Sequence, residues 1–98
     1  MTIVEQFFAL NHPAGAGHFP GNPIIPGALL LSETLRAIGH SLDVDLSRGQ
    51  RVSAKFAHPA RPGDNVSIDF SEIAGGTIKF ACTVGGTKVM TGTICAAL

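Results

Sequence analysis

Charge is scarce in this sequence. Only 14% of its residues are Asp, Glu, Lys or Arg, and seven basic residues balance seven acidic ones for a formal net charge of zero. A general nucleic-acid or anionic-membrane binder lacks its usual electrostatic footprint here. Long hydrophobic runs are also missing. None approaches the roughly 18 residues that would suggest a membrane span. The two cysteines, Cys82 and Cys95, form no C-x-x-C pair and have no histidine at a ligand spacing, so a metal site is not expected. Both read as buried, reduced thiols in strands. Met1 to Leu10 has no basic segment followed by a long apolar core, so no signal peptide is expected and the expected compartment is the cytoplasm. No internal repeat or low-complexity tract is present.

Against these absences stand 98 residues of which 45% are apolar, with a mean hydropathy of +0.31. That is too apolar for a disordered chain. The length fits one domain over residues 1–98, with a thin core. Near-zero charge on a small apolar domain favours association with a partner.

The expected order of elements is strand, loop, helix, four strands. Thr2 to Leu10 is rich in β-formers. Four of the six prolines fall between Asn11 and Gly27, which excludes a helix or central strand there. Ala28 to His40 follows with strong helix formers. Leu31, Leu35 and Ile38 recur at i, i+4 and i+7. Ala28, Ser32, Leu35 and Gly39 form an adjoining face of mostly small residues, and Glu33, Arg36 and His40 form a polar stripe. A helix apolar most of the way round is expected to be largely enclosed. Residues 42 to 50 read as a connection. Three alternating runs come next: Val52, Ala54 and Phe56; Val66, Ile68 and Phe70; Ile78, Phe80, Cys82 and Val84, opposite Thr77, Lys79, Ala81 and Thr83. A last strand covers Thr87 to Ala96. Gly75-Gly76 and Gly85-Gly86 occupy hairpin turns, where positive φ is needed. The last three strands read as an antiparallel meander. One helix against one antiparallel sheet is an α+β fold.

The most informative segment runs from Gly17 to Gly27, as Gly17-His18-Phe19-Pro20-Gly21-Asn22-Pro23-Ile24-Ile25-Pro26-Gly27. Its prolines and glycines fix the backbone while His18 sits in a loop before the helix. An imidazole held partly out of water there can serve as acid or base near neutral pH. Gly27 opens the helix, and its amide is an orphan donor able to face an oxygen on which negative charge develops. A base and an oxyanion donor a few residues apart suit proton abstraction beside a carbonyl. A structural histidine in a turn is the competing reading.

The segment resembles the H-F-x-G-x-P-x-x-P-G loop of the hotdog-fold β-hydroxyacyl-[acyl-carrier-protein] dehydratases. His18, Phe19, Gly21, Pro23, Pro26 and Gly27 meet every fixed position. Further on, Ala54-Lys55-Phe56 and Pro62-Gly63-Asp64 resemble that family's strand and P-G-D turn. The resemblance spans about residues 17 to 98. It implies a hotdog fold, in which an antiparallel sheet wraps a central helix, and reversible dehydration of 3-hydroxyacyl thioesters without cofactor or metal. It also implies His18 as base, Gly27 as the carbonyl-polarising amide, and Phe19, Gly21 and Pro26 as substrate-binding residues. Such a site lies between two subunits, so a homodimer is implied. Family members usually carry a helix and strand ahead of this region, where the chain has Thr2 to His12.

Two positions depart from the pattern. The acidic residue that would serve the β-hydroxyl, five places past Gly27, is Ser32. The usual glutamine further along is Arg36. Glu33 is the nearest carboxylate, but on a helix it points about 100° away from Ser32, toward Arg36 and His40. Losing a positioned acid typically costs about 10²- to 10⁴-fold in rate. Three readings therefore stand: a dehydratase, slow or with a displaced acid; a non-catalytic acyl-thioester or carrier-binding subunit; and a thioesterase. The basic residues Arg48, Arg51, Lys55 and Arg61 lie in a stretch free of Asp and Glu, with His58 among them. Such an edge suits docking of an acidic acyl carrier protein, though ordinary solvated strand ends would look the same.

Overall fold

The computed structural model describes residues 2–7, 24–46, 51–73 and 75–95. Within them the chain forms β1 (Thr2–Phe7), α1 (Gly27–Leu42), β2 (Arg51–Phe56), β3 (Asn65–Ile73), β4 (Thr77–Val84) and β5 (Thr87–Cys95). All five strands join one antiparallel sheet in the order β1-β3-β4-β5-β2. The expected meander is β3-β4-β5. Its turns place Gly75 and Gly76 at φ of 80° and 74°, and Gly85 and Gly86 at 56° and 83°. Residues 8–10, expected to extend β1, lie outside the described part, as does most of the proline-rich loop.

The sheet has one apolar face. Val66, Ile68 and Phe70 of β3, Ile78, Phe80 and Cys82 of β4, and Val89, Met90 and Ile94 of β5 are all buried. They form one cluster with Leu30 and Ile38 of α1, so the helix lies against this face. Full burial of each such aliphatic side chain contributes about 1.5–3 kcal/mol. Register is fixed by period-2 alternation, since a one-residue slip would turn the set outward.

Strand β5 breaks that period once. Cys82 pairs with Met90 but Thr83 pairs with Lys88, so Val89 is an extra residue in a bulge. Both Val89 and Met90 consequently point into the core, at 2% and 0% exposure. The Val89 carbonyl accepts from the amides of Ala57 (2.9 Å) and His58 (3.3 Å), which directs the chain as it leaves β2. Further along, Phe80 and Gly92 are register partners. A Cβ on Gly92 would come within 2.6 Å of the Phe80 ring and would also meet the Ser53 carbonyl.

The helix differs from expectation in what it buries. Its fully covered stripe is Leu30, Thr34, Ile38 and Gly39, while Leu31 and Leu35 are half-buried. Thr34 tolerates the core because its hydroxyl donates to the Leu30 carbonyl (2.8 Å) and sits 3.6 Å from Cys82 Sγ. The opposite side is not enclosed: Ala28, Ser32, Arg36 and His40 are exposed. A single sheet covers one flank of a helix, and the small-residue face is the flank left over.

The helix ends at Asp43, which adopts a left-handed conformation at φ 57° and ψ 45°. The Asp43 amide donates to the His40 carbonyl and that of Val44 to the Gly39 carbonyl, a Schellman arrangement with Asp43 where glycine is usual. Gly39 is needed for this reversal, since a Cβ there would lie 2.7 Å from the Val44 carbonyl oxygen.

Cys95 corrects the expectation of two buried thiols. Cys82 is buried, but Cys95 is exposed; both are free. Its register partners Arg51 and Thr77 mark the outer face of the sheet.

Candidate functional site

Residues Ile24 to Gly27 bring the chain into α1. The Ile25 amide donates to the Ala60 carbonyl at 2.7 Å, tying this approach to the segment after β2. Pro26 is the N-cap, and its carbonyl accepts the first helical bond, from Leu30 (3.0 Å). No side chain caps the helix, and its first turn holds no acidic residue. The amides of Gly27, Ala28 and Leu29 are thus the orphan donors of the helix start. They also carry the positive end of its dipole.

Phe56 stands beside this start. It lies on the inner face of edge strand β2, yet remains half exposed. A Cβ on Gly27 would approach its ring to 3.1 Å, so glycine here admits the ring as well as freeing the amide. Sequence reasoning placed Phe56 on the inner face without linking it to Gly27. A cavity of about 440 Å³ opens here, bordered by Ile24, Gly27, Phe56 and His58.

A larger groove, about 590 Å³, runs along the open flank of α1. Leu31, Leu35, Val44 and Leu46 give it an apolar lining, and Ser32, Arg36 and His40 add polar groups. Ser32 therefore faces the groove. Glu33 does not line it. Its Oε2 accepts from Arg36 Nε (3.0 Å) and Nη2. This pair is the solvated i, i+3 partnership expected from spacing, and it holds Glu33 away from the Ser32 face.

His18, Phe19 and Gly21 lie outside the described residues, as does Arg48. Arg51 and Lys55 are exposed on the outer face of β2, away from α1. Arg61 lies beyond the end of β2 and opens the Pro62-Gly63 turn, where its amide donates to Asp64 Oδ2 at 2.7 Å. Gly63 takes a φ of 95° there. Burial pushes the Cys82 thiol above its ordinary pKa, and the Thr34 hydroxyl acts weakly in the opposite sense.

One helix seated on a five-stranded antiparallel sheet, with a Pro-Gly helix start beside an apolar groove, defines a hotdog-fold domain. The chain belongs to the ApeI-like family, described as ApeI dehydratase, whose model matches residues 2–93. It is 35% identical over 101 residues to the 3-hydroxyacyl-[acyl-carrier-protein] dehydratase FabZ of Chlamydia trachomatis, covering 91% of this chain and 66% of that protein. To the FabZ of Chlamydia caviae it is 33% identical over 109 residues, covering 98% of this chain and 71% of the relative. The chain thus spans about two-thirds or less of several curated relatives, 53% for the FabZ of Legionella pneumophila and 43% for that of Caulobacter vibrioides. Among solved structures it superposes on the dehydratase heterocomplex ApeI:P from Xenorhabdus doucetiae (TM-score 0.71, 19% identity, covering 95% of this chain and 83% of that one). It also superposes on the (R)-hydratase from A. caviae involved in PHA biosynthesis (TM-score 0.68, 18% identity, covering 97% and 92%). At those identities the structures speak for the fold alone.

Proposed function

We propose that this chain is a 3-hydroxyacyl-[acyl-carrier-protein] dehydratase that interconverts 3-hydroxyacyl and 2-enoyl thioesters in fatty acid or related lipid synthesis. The observation that carries this reading is the uncapped Pro26-Gly27 helix start beside an apolar groove, in a member of a dehydratase family. An amide at a helix N-terminus stabilises negative charge developing on a thioester carbonyl oxygen. That polarisation makes the neighbouring α-carbon acidic. His18 removes the α-proton, the β-hydroxyl leaves as water after gaining a proton, and the double bond forms between the two carbons. Phe19, Gly21 and Pro26 are the residues that the family resemblance assigns to substrate binding. The groove along α1 suits the acyl chain. No cofactor enters this scheme.

The proton for the leaving hydroxyl is the weak point. With Ser32 at the groove and Glu33 engaged by Arg36, the described helix presents no carboxylate in the position where the resemblance calls for one. Water held by Ser32 is a poor acid at neutral pH, so slow turnover is expected. The purified protein should hydrate crotonyl or longer enoyl thioesters, and His18→Ala should abolish this. Turnover equal to that of the His18 variant would overturn the reading. Ser32→Glu should raise the rate by about 10²-fold or more if the missing acid limits it.

Ser32 also supports a second reading, a non-catalytic acyl-thioester-binding subunit that works beside another chain. A superposable solved structure is described as a heterocomplex. Carrier binding without hydration, by wild type and Ser32→Glu alike, would favour it. Under either reading the expected setting is a cytoplasmic homodimer or larger assembly. Among the described residues no helix is long and apolar enough to cross a membrane. The carrier protein is expected to dock on basic residues, drawn from Arg48, Arg51, Lys55 and Arg61.

A further inference from the structure

The sheet's outer face gathers charge that is scattered in the sequence. Alternation puts Arg51 and Lys55 of β2 on this face, opposite the inward Val52 and Phe56. Register puts Lys79 of β4 there too, paired with Thr93, and Lys88 of β5, paired with Thr83. All four are exposed, and none forms an ion pair among the described residues. They account for four of the chain's seven basic residues.

The acidic side chains are disposed differently. Glu33 is taken up by Arg36, and Asp64 by the Arg61 amide. Asp43 and Asp45 stand at the end of α1. On the outer face itself, Asp69 is half-buried on β3, and Glu5 lies on β1, where it accepts from Asn65 Nδ2 at 2.7 Å. The face is therefore graded, acidic at the β1-β3 edge and basic across β4, β5 and β2. Residues four apart on a strand are about 13 Å apart, and β4 is about 10 Å from β2 across the sheet. The four cations thus frame a patch the size of one helix face. Beside Lys79 and Lys88 a shallow groove of about 410 Å³ is lined by Ala81, Thr91 and Thr93 and reaches Asp69 on its β3 side.

We infer that this outer face of β4, β5 and β2, through Lys79 and Lys88 together with Arg51 and Lys55, docks an acidic helix of the acyl carrier protein. This rests on the proposed dehydratase reading for the identity of the partner. Charge complementarity carries the choice: unpaired cations on a surface rich in short hydroxyl side chains suit carboxylates, which add steering and orientation. Edge strand β2 also links the patch to the site, because Lys55 points outward next to Phe56, whose ring meets the Gly27 position. A carrier on the basic side has one strand's width to pass to reach the helix start.

The test is binding of purified apo acyl carrier protein to the wild-type chain and to the Lys79→Glu/Lys88→Glu double variant, by calorimetry at low and high salt. The double variant is expected to weaken binding by about tenfold or more, and added salt should weaken wild-type binding in the same sense. Ser41→Glu, at the far end of α1, should bind as wild type does. No carrier binding, or binding indifferent to the double variant, overturns the inference. Binding of phosphatidylserine vesicles in place of the carrier also overturns it. Hydration of a coenzyme A enoyl thioester, which needs no carrier, reports on the catalytic reading separately. That rate should be the same in wild type and double variant.

Discussion

Gly27 and Gly92 each face a phenylalanine ring, and the two rings differ in freedom. Phe80 is 2% exposed, so a methyl group at Gly92 has nowhere to push it and also meets backbone. Gly92→Ala should cost about 2–3 kcal/mol, read as a lower midpoint in denaturant melts. Phe56 is 50% exposed and can swing outward. Gly27→Ala should therefore cost under about 1 kcal/mol of stability. Its loss of hydration rate should be larger than that, because the displaced ring borders the amide. The thiols give a third residue-scale expectation. A disulfide-exchange reagent should titrate Cys95 in the native protein and Cys82 only after unfolding, because one is exposed and the other buried. Burial holds the folded Cys82 thiol above its ordinary value of 9.0. Below that value both states keep the proton. Above it the unfolded chain releases the proton first, so stability falls as pH rises into that range. Cys82→Ala should lower stability overall and flatten the decline as pH rises above about 9 in thermal melts.

At the scale of elements, the helix shows what the sequence could and could not convey. Its existence followed from composition between Pro26 and His40, and the structure extends it to Leu42. Its buried stripe was misjudged, because apolarity favours Leu31 and Leu35 over Thr34. The hydroxyl bond to the Leu30 carbonyl is what lets a polar side chain take the core position. Its end was equally hidden, since Gly39 suggests a stop but serves the reversal four residues later. Asp43→Gly should raise stability by about 0.5–1 kcal/mol, measured by thermal melting, because glycine enters the left-handed region without steric cost. In the site, Pro26-Gly27 and the outward turn of Glu33 were legible from motif and helical spacing. The basic surface was legible in part: the linear stretch supplied Arg51 and Lys55, and strand register adds Lys79 and Lys88 on the same face, which sequence distance hides.

For the whole molecule, the sequence anticipated a small neutral domain that seeks a partner. The structure gives that need a location: an apolar groove beside α1, with Leu42, Val44 and Phe56 exposed around the helix ends. A hydrophobic surface of this kind on so small a domain favours association. The particle in solution should have at least twice the 10.1 kDa mass of one chain, by light scattering, and a monomer at high concentration would refute this. Neutrality itself proves to be a sum over unlike regions, with a basic sheet face set against acids at the helix end and the opposite sheet edge.

The extra residue at Val89 acts beyond β5. Every position after it, from Met90 to Cys95, pairs with β2. Deleting Val89 would leave Lys88 outward and Met90 inward in unbroken alternation, so Ile94 would stay in the core and Cys95 on the outer face. What the deletion removes is a buried side chain and the carbonyl that receives the Ala57 and His58 amides where the chain leaves β2. The insertion thus steers the exit of a neighbouring strand, one residue past Phe56 and hence close to the helix start.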